Sequence, residues 1–173
     1  LYYEKKIKFI GVRDERTGTH MADGYARASN SPGIILAGQN GPGATNLVTG
    51  IAQAKAAFSP VIALAGSYST KDKMEDAFQG LDQQSLFSPI TKKTWTVKKL
   101  KKITKTLDNA FRVSMAPRRG PVCVNLPRNI LAEKGKLKIP VNRSYKKEYN
   151  NRGKSKEIVK SVKIILGSKK PII

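Results

Sequence analysis

The chain contains one cysteine and one histidine, and its 33 lysines and arginines stand against only 12 acidic residues. The lone thiol, Cys123, excludes an internal disulfide. It lies in the apolar run Pro121-Val122-Cys123-Val124, which fits a packed, reduced side chain and a cytoplasmic protein. The lone histidine, His20, follows Glu15 by five residues, so a helix turns it about 140° away and it reads as a surface or structural residue. No stretch reaches the roughly 20 apolar residues of a membrane-spanning helix, and no membrane partner is expected. No signal peptide is visible. The chain opens on Leu1, and the expectation is that its true start lies upstream. Internal repeats and low-complexity tracts are also missing.

The formal net charge of +21 raises the question of nucleic-acid binding. The excess is mostly dispersed lysine. Lys98, Lys99, Lys101, Lys102 and Lys105 are expected on the polar side of one amphipathic helix. The basic stretch from Lys134 to Lys156 offers only Tyr145 and Tyr149 as stacking aromatics. Without a recognition-module signature the charge reads as a solvated face, not a basic nucleic-acid-binding module, and no nucleic-acid partner is expected.

Apolar runs alternate with helical periodicity along the chain. Lys8–Val12 reads as a strand, followed by a helix from about Glu15 to Ala28. Ile34–Ala37 and Pro60–Ala65 are continuously apolar, the mark of strands covered on both faces. Between them a helix opens at Gly41-Pro42-Gly43, with Ala44, Leu47, Val48, Ile51 and Ala52 at helical spacing. Ser67 to Pro89 reads as irregular. Thr94–Val97 and Pro121–Leu126 are further strands, flanking a helix with Leu100, Ile103, Leu107, Ala110 and Phe111 on one face. Met21 and Tyr25, four apart, are expected in the core. This order predicts an α/β fold with a doubly wound parallel sheet. Residues 1–132 form one domain, 133–153 a linker, and 154–173 the start of a second α/β domain, so the chain reads as a fragment.

Two features could carry chemistry. Glu15 follows a strand near the start of a helix, and ligands of open α/β sheets gather beyond the carboxyl ends of strands. An acidic residue is equally at home in a first helical turn for dipole reasons. The turn Gly38-Gln39-Asn40-Gly41-Pro42-Gly43 also lies between a strand and a helix. It matches neither the dinucleotide nor the phosphate-loop pattern, and either a close ligand approach or a tight turn accounts for its glycines.

Together these pieces have a recognisable order. Glu15 to Arg27, Gly38 to Thr49, Asp76-Ala77-Phe78-Gln79, Pro89-Ile90-Thr91-Lys92, Ala110-Phe111 and Gly120 to Arg128 occur in one register. That register resembles the pyrimidine-binding domain of thiamine-diphosphate enzymes of the acetolactate synthase group. The resemblance runs from about Lys8 to Leu131, and Ser155 to Ile173 is similar to the start of the family's central domain. The turn itself looks like that of sulfoacetaldehyde acetyltransferase and its relatives.

The resemblance implies thiamine diphosphate as cofactor and Glu15 as the catalytic carboxylate that bonds N1′ of its aminopyrimidine. It implies that Gly41, Pro42, Gly43 and Asn46 lie at the cofactor, that Phe78 and Gln79 line the substrate channel, and that Arg128 stands at the channel mouth. It also implies a homodimer or tetramer whose active site forms between subunits. The family holds magnesium through a Gly-Asp-Gly motif and a downstream Asn in a C-terminal domain. That motif does not occur here, and Ala22-Asp23-Gly24, a superficial match, falls inside a helix. No metal ligand is therefore assigned to this chain, which is expected to be inactive alone. Three departures bear on the activity. Asp14 replaces a common histidine, Gly80 replaces a glutamate, and Arg118-Arg119-Gly120-Pro121 replaces an Arg-Pro-Gly-Pro segment that contacts FAD in flavin-containing members. The function implied is a carboligase or acyl transferase acting on 2-keto acids or related donors. A decarboxylase on the same fold is the alternative.

Overall fold

A computed structural model describes residues 3–137 and 153–170. Four parallel strands, β1 (Gly33–Ala37), β2 (Val61–Ser67), β3 (Lys93–Thr96) and β4 (Val122–Pro127), form a sheet in the order β1-β2-β4-β3. β2 pairs with β1 from Gly33↔Val61 to Ala37↔Ala65 and with β4 from Ile62↔Val122 to Ser67↔Pro127. The helices are α1 (Glu15–Ser29), α2 (Pro42–Asn46), α3 (Val48–Ala56), α4 (Gln83–Phe87), α5 (Ile103–Met115), α6 (Arg128–Ala132) and α7 (Ser155–Gly167).

Strand alternation divides the core in two. On one face Ile35, Ala37, Val61, Ala63, Ala65 and Cys123 pack against Ala22 of α1, Leu47 and Ile51, Ala54 of α3 and Phe87 of α4. On the other, Ile62, Val122, Val124 and Leu126 pack against Ala110 of α5 and Ile130 of α6. Burial pushes the Cys123 thiol far above its ordinary pKa, so it remains a neutral packing group.

The helix ends follow local chemistry. Asp14 caps α1 by accepting from the Arg16 amide at 2.8 Å, and Asn30 closes that helix in the left-handed conformation. Within α1, Arg27 pairs with the buried Asp23 at 2.9 Å and also donates to Ser59 Oγ at 3.2 Å, tying the helix to the approach of β2. Lys92 donates to the carbonyls of Val113 and Ala116 at the end of α5, and its burial lowers its pKa.

Several local expectations change. Lys8–Val12 forms no strand. Its apolar side chains have the propensity, but a strand needs a partner ladder, and among the described residues none pairs with it. β1 is covered on one face only: Ile34 is 51% and Leu36 39% exposed, because the second core layer stops at β2. Met21 and Tyr25 are exposed, since α1 turns Ala22 and Ala26 inward instead. The helix after Gly41 breaks at Leu47 into α2 and α3, and the stretch read as irregular contains α4. Of the basic cluster, only Lys105 lies on α5; Lys101 and Lys102 belong to a 3-10 turn before it. Most of the expected linker, residues 138–152, lies outside the described residues. Every described residue from 153 to 170 is exposed, α7 included.

Candidate functional site

Glu15 is the first residue of α1 and is half-buried. Its Oε2 accepts a hydrogen bond from Asn46 Nδ2 at 3.0 Å. Its Oε1 has no hydrogen-bond partner among the described residues. A Cβ on Gly43 would stand 3.2 Å from that oxygen and 2.9 Å from Gln39 Cβ. Glycine at 43 therefore leaves open the space beside the carboxylate.

The turn that carries Gly43 leaves the carboxyl end of β1. Gly41 takes φ +59°, and a Cβ there would lie 2.7 Å from the Gln79 carbonyl oxygen. Asn40 Nδ2 donates to the Phe78 and Gln79 carbonyls at 2.9 and 3.1 Å. The Gln39 and Gln79 side-chain amides bond each other. Gln79 itself adopts φ +55°, a backbone region costly for a residue with a Cβ and held here by the bonds from the turn. Phe78 beside it is 75% exposed. Glu15, Gly41, Pro42, Gly43, Asn46, Phe78 and Gln79 thus lie in one connected corner, bridged by Gln39 and Asn40. Those two bridging amides were not singled out from sequence. The signal was available: they are the multidentate side chains of a loop whose other residues are glycine and proline.

Asp14, next to Glu15, is committed to structure. Side-chain hydrogen bonds from Arg16 hold its carboxyl at about 2, down from 3.8, and the two form an ion pair at 2.7 Å. Arg128 is not part of the corner's hydrogen-bond network. It pairs with Asp72 at 2.7 Å where β4 ends. His20 is exposed on α1. Arg118 and Arg119 lie before β4, at the amino end of the sheet and opposite Glu15. There Arg118 stacks 4.9 Å over the Phe58 ring and Arg119 bonds Asn30. Among the described residues no group of three His, Cys, Asp or Glu could hold a metal ion, and no helix is long and apolar enough to cross a membrane.

Comparison with known proteins finds a matching family for the N-terminal part of the chain. Residues 1–86 match the thiamine pyrophosphate enzyme N-terminal TPP binding domain. The chain is 40% identical over 179 residues to the probable acetolactate synthase large subunit of Methanocaldococcus jannaschii, covering 99% of this chain and 29% of that one. It is 36% identical over 170 residues to the acetolactate synthase isozyme 3 large subunit of Escherichia coli, covering 96% and 29%. It is 31% identical over 183 residues to the mitochondrial acetolactate synthase catalytic subunit of Aspergillus candidus, covering 100% and 26%. The chain spans less than a third of the length of these relatives. The chain thus carries a match to the N-terminal TPP binding domain of thiamine pyrophosphate enzymes and is similar over nearly its whole length to acetolactate synthase large subunits.

Proposed function

We propose that this chain supplies the aminopyrimidine-holding part of a thiamine-diphosphate-dependent carboligase or acyl transferase that acts on 2-keto acids or related donors. The observation that carries the reading is the half-committed carboxylate of Glu15, with Oε2 fixed by Asn46 and Oε1, beside Gly43, without a hydrogen-bond partner among the described residues. A carboxylate held at one oxygen can share a proton through the other, which is the requirement at N1′ of an aminopyrimidine. Thiamine diphosphate, when bound, supplies the electron sink for the carbanion left by decarboxylation.

Each residue of the corner then has a task. Glu15 Oε1 holds the proton at N1′, and Asn46 keeps the carboxylate oriented. Gly41, Pro42 and Gly43 let the ring approach the backbone. Phe78 and Gln79, fastened to the turn by Gln39 and Asn40, border the substrate channel, and Arg128 stands at its mouth. Magnesium has no ligand set among the described residues, so no step is assigned to it here. FAD is not assigned a residue here, because Arg118-Arg119-Gly120-Pro121 departs from the segment that contacts it in flavin-containing members. A second subunit completing the site, in a cytoplasmic homodimer or tetramer, belongs to the same proposal.

The test is product analysis on the full polypeptide with pyruvate, thiamine diphosphate and magnesium. Cofactor-dependent loss of CO2 with transfer of the two-carbon remainder to an acceptor is the expected result. Release of that remainder as free aldehyde would assign a decarboxylase. Absence of any cofactor-dependent turnover would contradict both.

A further inference from the structure

Residues 68–82 leave β2 and cross the carboxyl edge of the sheet on the way to α4. Only Ser69 among them is buried, so apolar packing does not hold them in place. Beneath them is a cavity of about 310 Å³, with Thr70, Asp72 and Leu81 on one side and Ser67, Thr96 and Asn125 of the strands on the other. Gln83, 2% exposed, closes the floor. Its Nε2 donates to the Gly66 carbonyl at 3.0 Å and to Asn125 Oδ1 at 3.2 Å. Residues 68–82 thus form a strap over open space, and polar bonds decide where it lies.

Two fastenings do this. On the β1 side, Asn40 bonds the Phe78 and Gln79 carbonyls. On the β4 side, the first two residues of α6 hold Asp72 and Thr70. Arg128 Nη2 donates to Asp72 Oδ2 at 2.7 Å. The Thr70 amide donates to Asn129 Oδ1 at 3.0 Å, and Asn129 Nδ2 donates back to Thr70 Oγ1 at 3.0 Å. Between the fastenings the strap is folded on itself, with the amides of Asp76, Ala77 and Gly80 donating to the carbonyls of Lys73, Met74 and Ala77. A Cβ on Gly80 would lie 2.0 Å from the Met74 carbonyl oxygen, so this fold needs the glycine. A piece folded in this way carries a shift at Thr70 and Asp72 on to Phe78 and Gln79.

The two bonds of the α6 fastening differ in weight. The Arg128 and Asp72 side chains are 66% and 33% exposed. An ion pair of that kind changes an equilibrium by at most about fivefold. Asn129 contributes two reciprocal bonds, one of them to a backbone amide, and is the stronger anchor. With both released, the strap would spend part of its time away from the Glu15 corner. The apparent affinity for a substrate that needs it there falls by the same fraction.

We propose that Asp72 and Asn129 are positioning residues of the substrate channel, which hold Phe78 and Gln79 at the Glu15 corner from the far side of β2. The channel role rests on the function proposed above, whereas the fastening itself does not. The test is made on the full polypeptide and its Asp72→Asn/Asn129→Ala variant. Amide hydrogen exchange at Ala77 and Gly80, which lie away from both substitutions in sequence, should quicken roughly tenfold in the variant, while β2 and β4 stay protected. The KM for pyruvate should rise by a similar factor, with kcat and exchange of the cofactor's C2 proton within about twofold of the parent. Asp72→Glu, which keeps the charge, should stay near the parent in both readouts. Glu15→Gln should leave the strap's exchange unchanged.

Unchanged exchange at Ala77 and Gly80 in the double variant would overturn the proposal. So would faster exchange in β2 and β4 as well, which would make the two residues general supports of the fold. A lowered KM would make Asp72 a charge that repels the anionic donor, and a matching loss of kcat and C2 exchange would place the effect at the cofactor; either result contradicts a role in the channel. The amide-exchange arm needs no turnover. A full polypeptide inactive on pyruvate would therefore count against the proposed function, and the fastening would still stand or fall on the exchange at Gly80.

Discussion

The Glu15 corner and the Gln83 cavity sit on the same edge of one sheet but are built from different parts of the chain. The corner is made of loops and helix starts: the first residue of α1, the turn after β1, the last residue of α2, and the segment around Gln79. Its contacts are polar and surface-near, and glycine keeps it open. The cavity is floored by the strands themselves, through Ser67, Thr96 and Asn125, and its key amide is fully buried. Loop-borne groups can be held at a ligand while the scaffold varies. Strand-borne groups are fixed by the register of the sheet.

Gly66 is where the two regions meet. Its carbonyl accepts from Gln83, and a Cβ on it would run into the Gly38 carbonyl at the root of the turn. Gly66→Ala should therefore disturb both regions at once. Overpacking of this kind costs roughly 1–3 kcal/mol, to be read as a lowered midpoint in chemical denaturation together with weakened cofactor binding. A variant of unchanged stability and affinity would show that the two regions are not joined through β2.

Asn46→Ala should act on the corner alone. Hydrogen bonds to charged groups are worth about 1.5–3 kcal/mol, and partial solvent exposure of Glu15 puts the effect at the low end of that range. Turnover should fall markedly, and the thermal midpoint should drop by only a few degrees. A large loss of stability with normal turnover would make Asn46 a structural residue and not a positioning one.

The acid side of the pH profile gives the smallest effect. The folded Asp14 carboxyl sits at about 2, below its ordinary 3.8. A depressed acid stabilises the fold above its unfolded pKa and loses that contribution as pH falls through the folded value. Helix α1 should thus hold its start at neutral pH and loosen between about pH 4 and pH 2. Asp14→Asn should flatten this part of an amide-exchange profile at Arg16. Retention of the full pH dependence in the variant would assign it to other carboxylates.

Much of this was legible in the sequence, and the misses have common causes. β2 and β4 were readable because both faces are buried and the runs are apolar apart from Ser67 and Asn125. The Glu15 and glycine-turn motifs were readable because each is contiguous. Lys8–Val12 was misread because strand propensity is a side-chain property, while a strand is made by its neighbour. Met21 and Tyr25 were misread because hydrophobic size was weighed above helical phase, and Ala22 and Ala26 are the residues that fit against β1. Gln83 was passed over because a polar residue in a loop-like stretch gives no sign that it will be buried. Its partners lie 17 and 42 residues away. Arg128 was legible as a basic residue after β4, but its pairing with Asp72 depends on a loop path that local pattern does not reveal.

The most direct measurement of the central claim is exchange of the cofactor's C2 proton into deuterium oxide, followed by NMR, in the full polypeptide and in its Glu15→Gln variant. Glutamine keeps the size and can still bond Asn46, but it cannot share a proton with N1′. Exchange should slow by roughly 10²–10⁴-fold, or about 3–5 kcal/mol of barrier, with the fold intact by circular dichroism. An exchange rate unchanged by the substitution in a folded, cofactor-bound variant would contradict the assignment of Glu15 as the activating carboxylate.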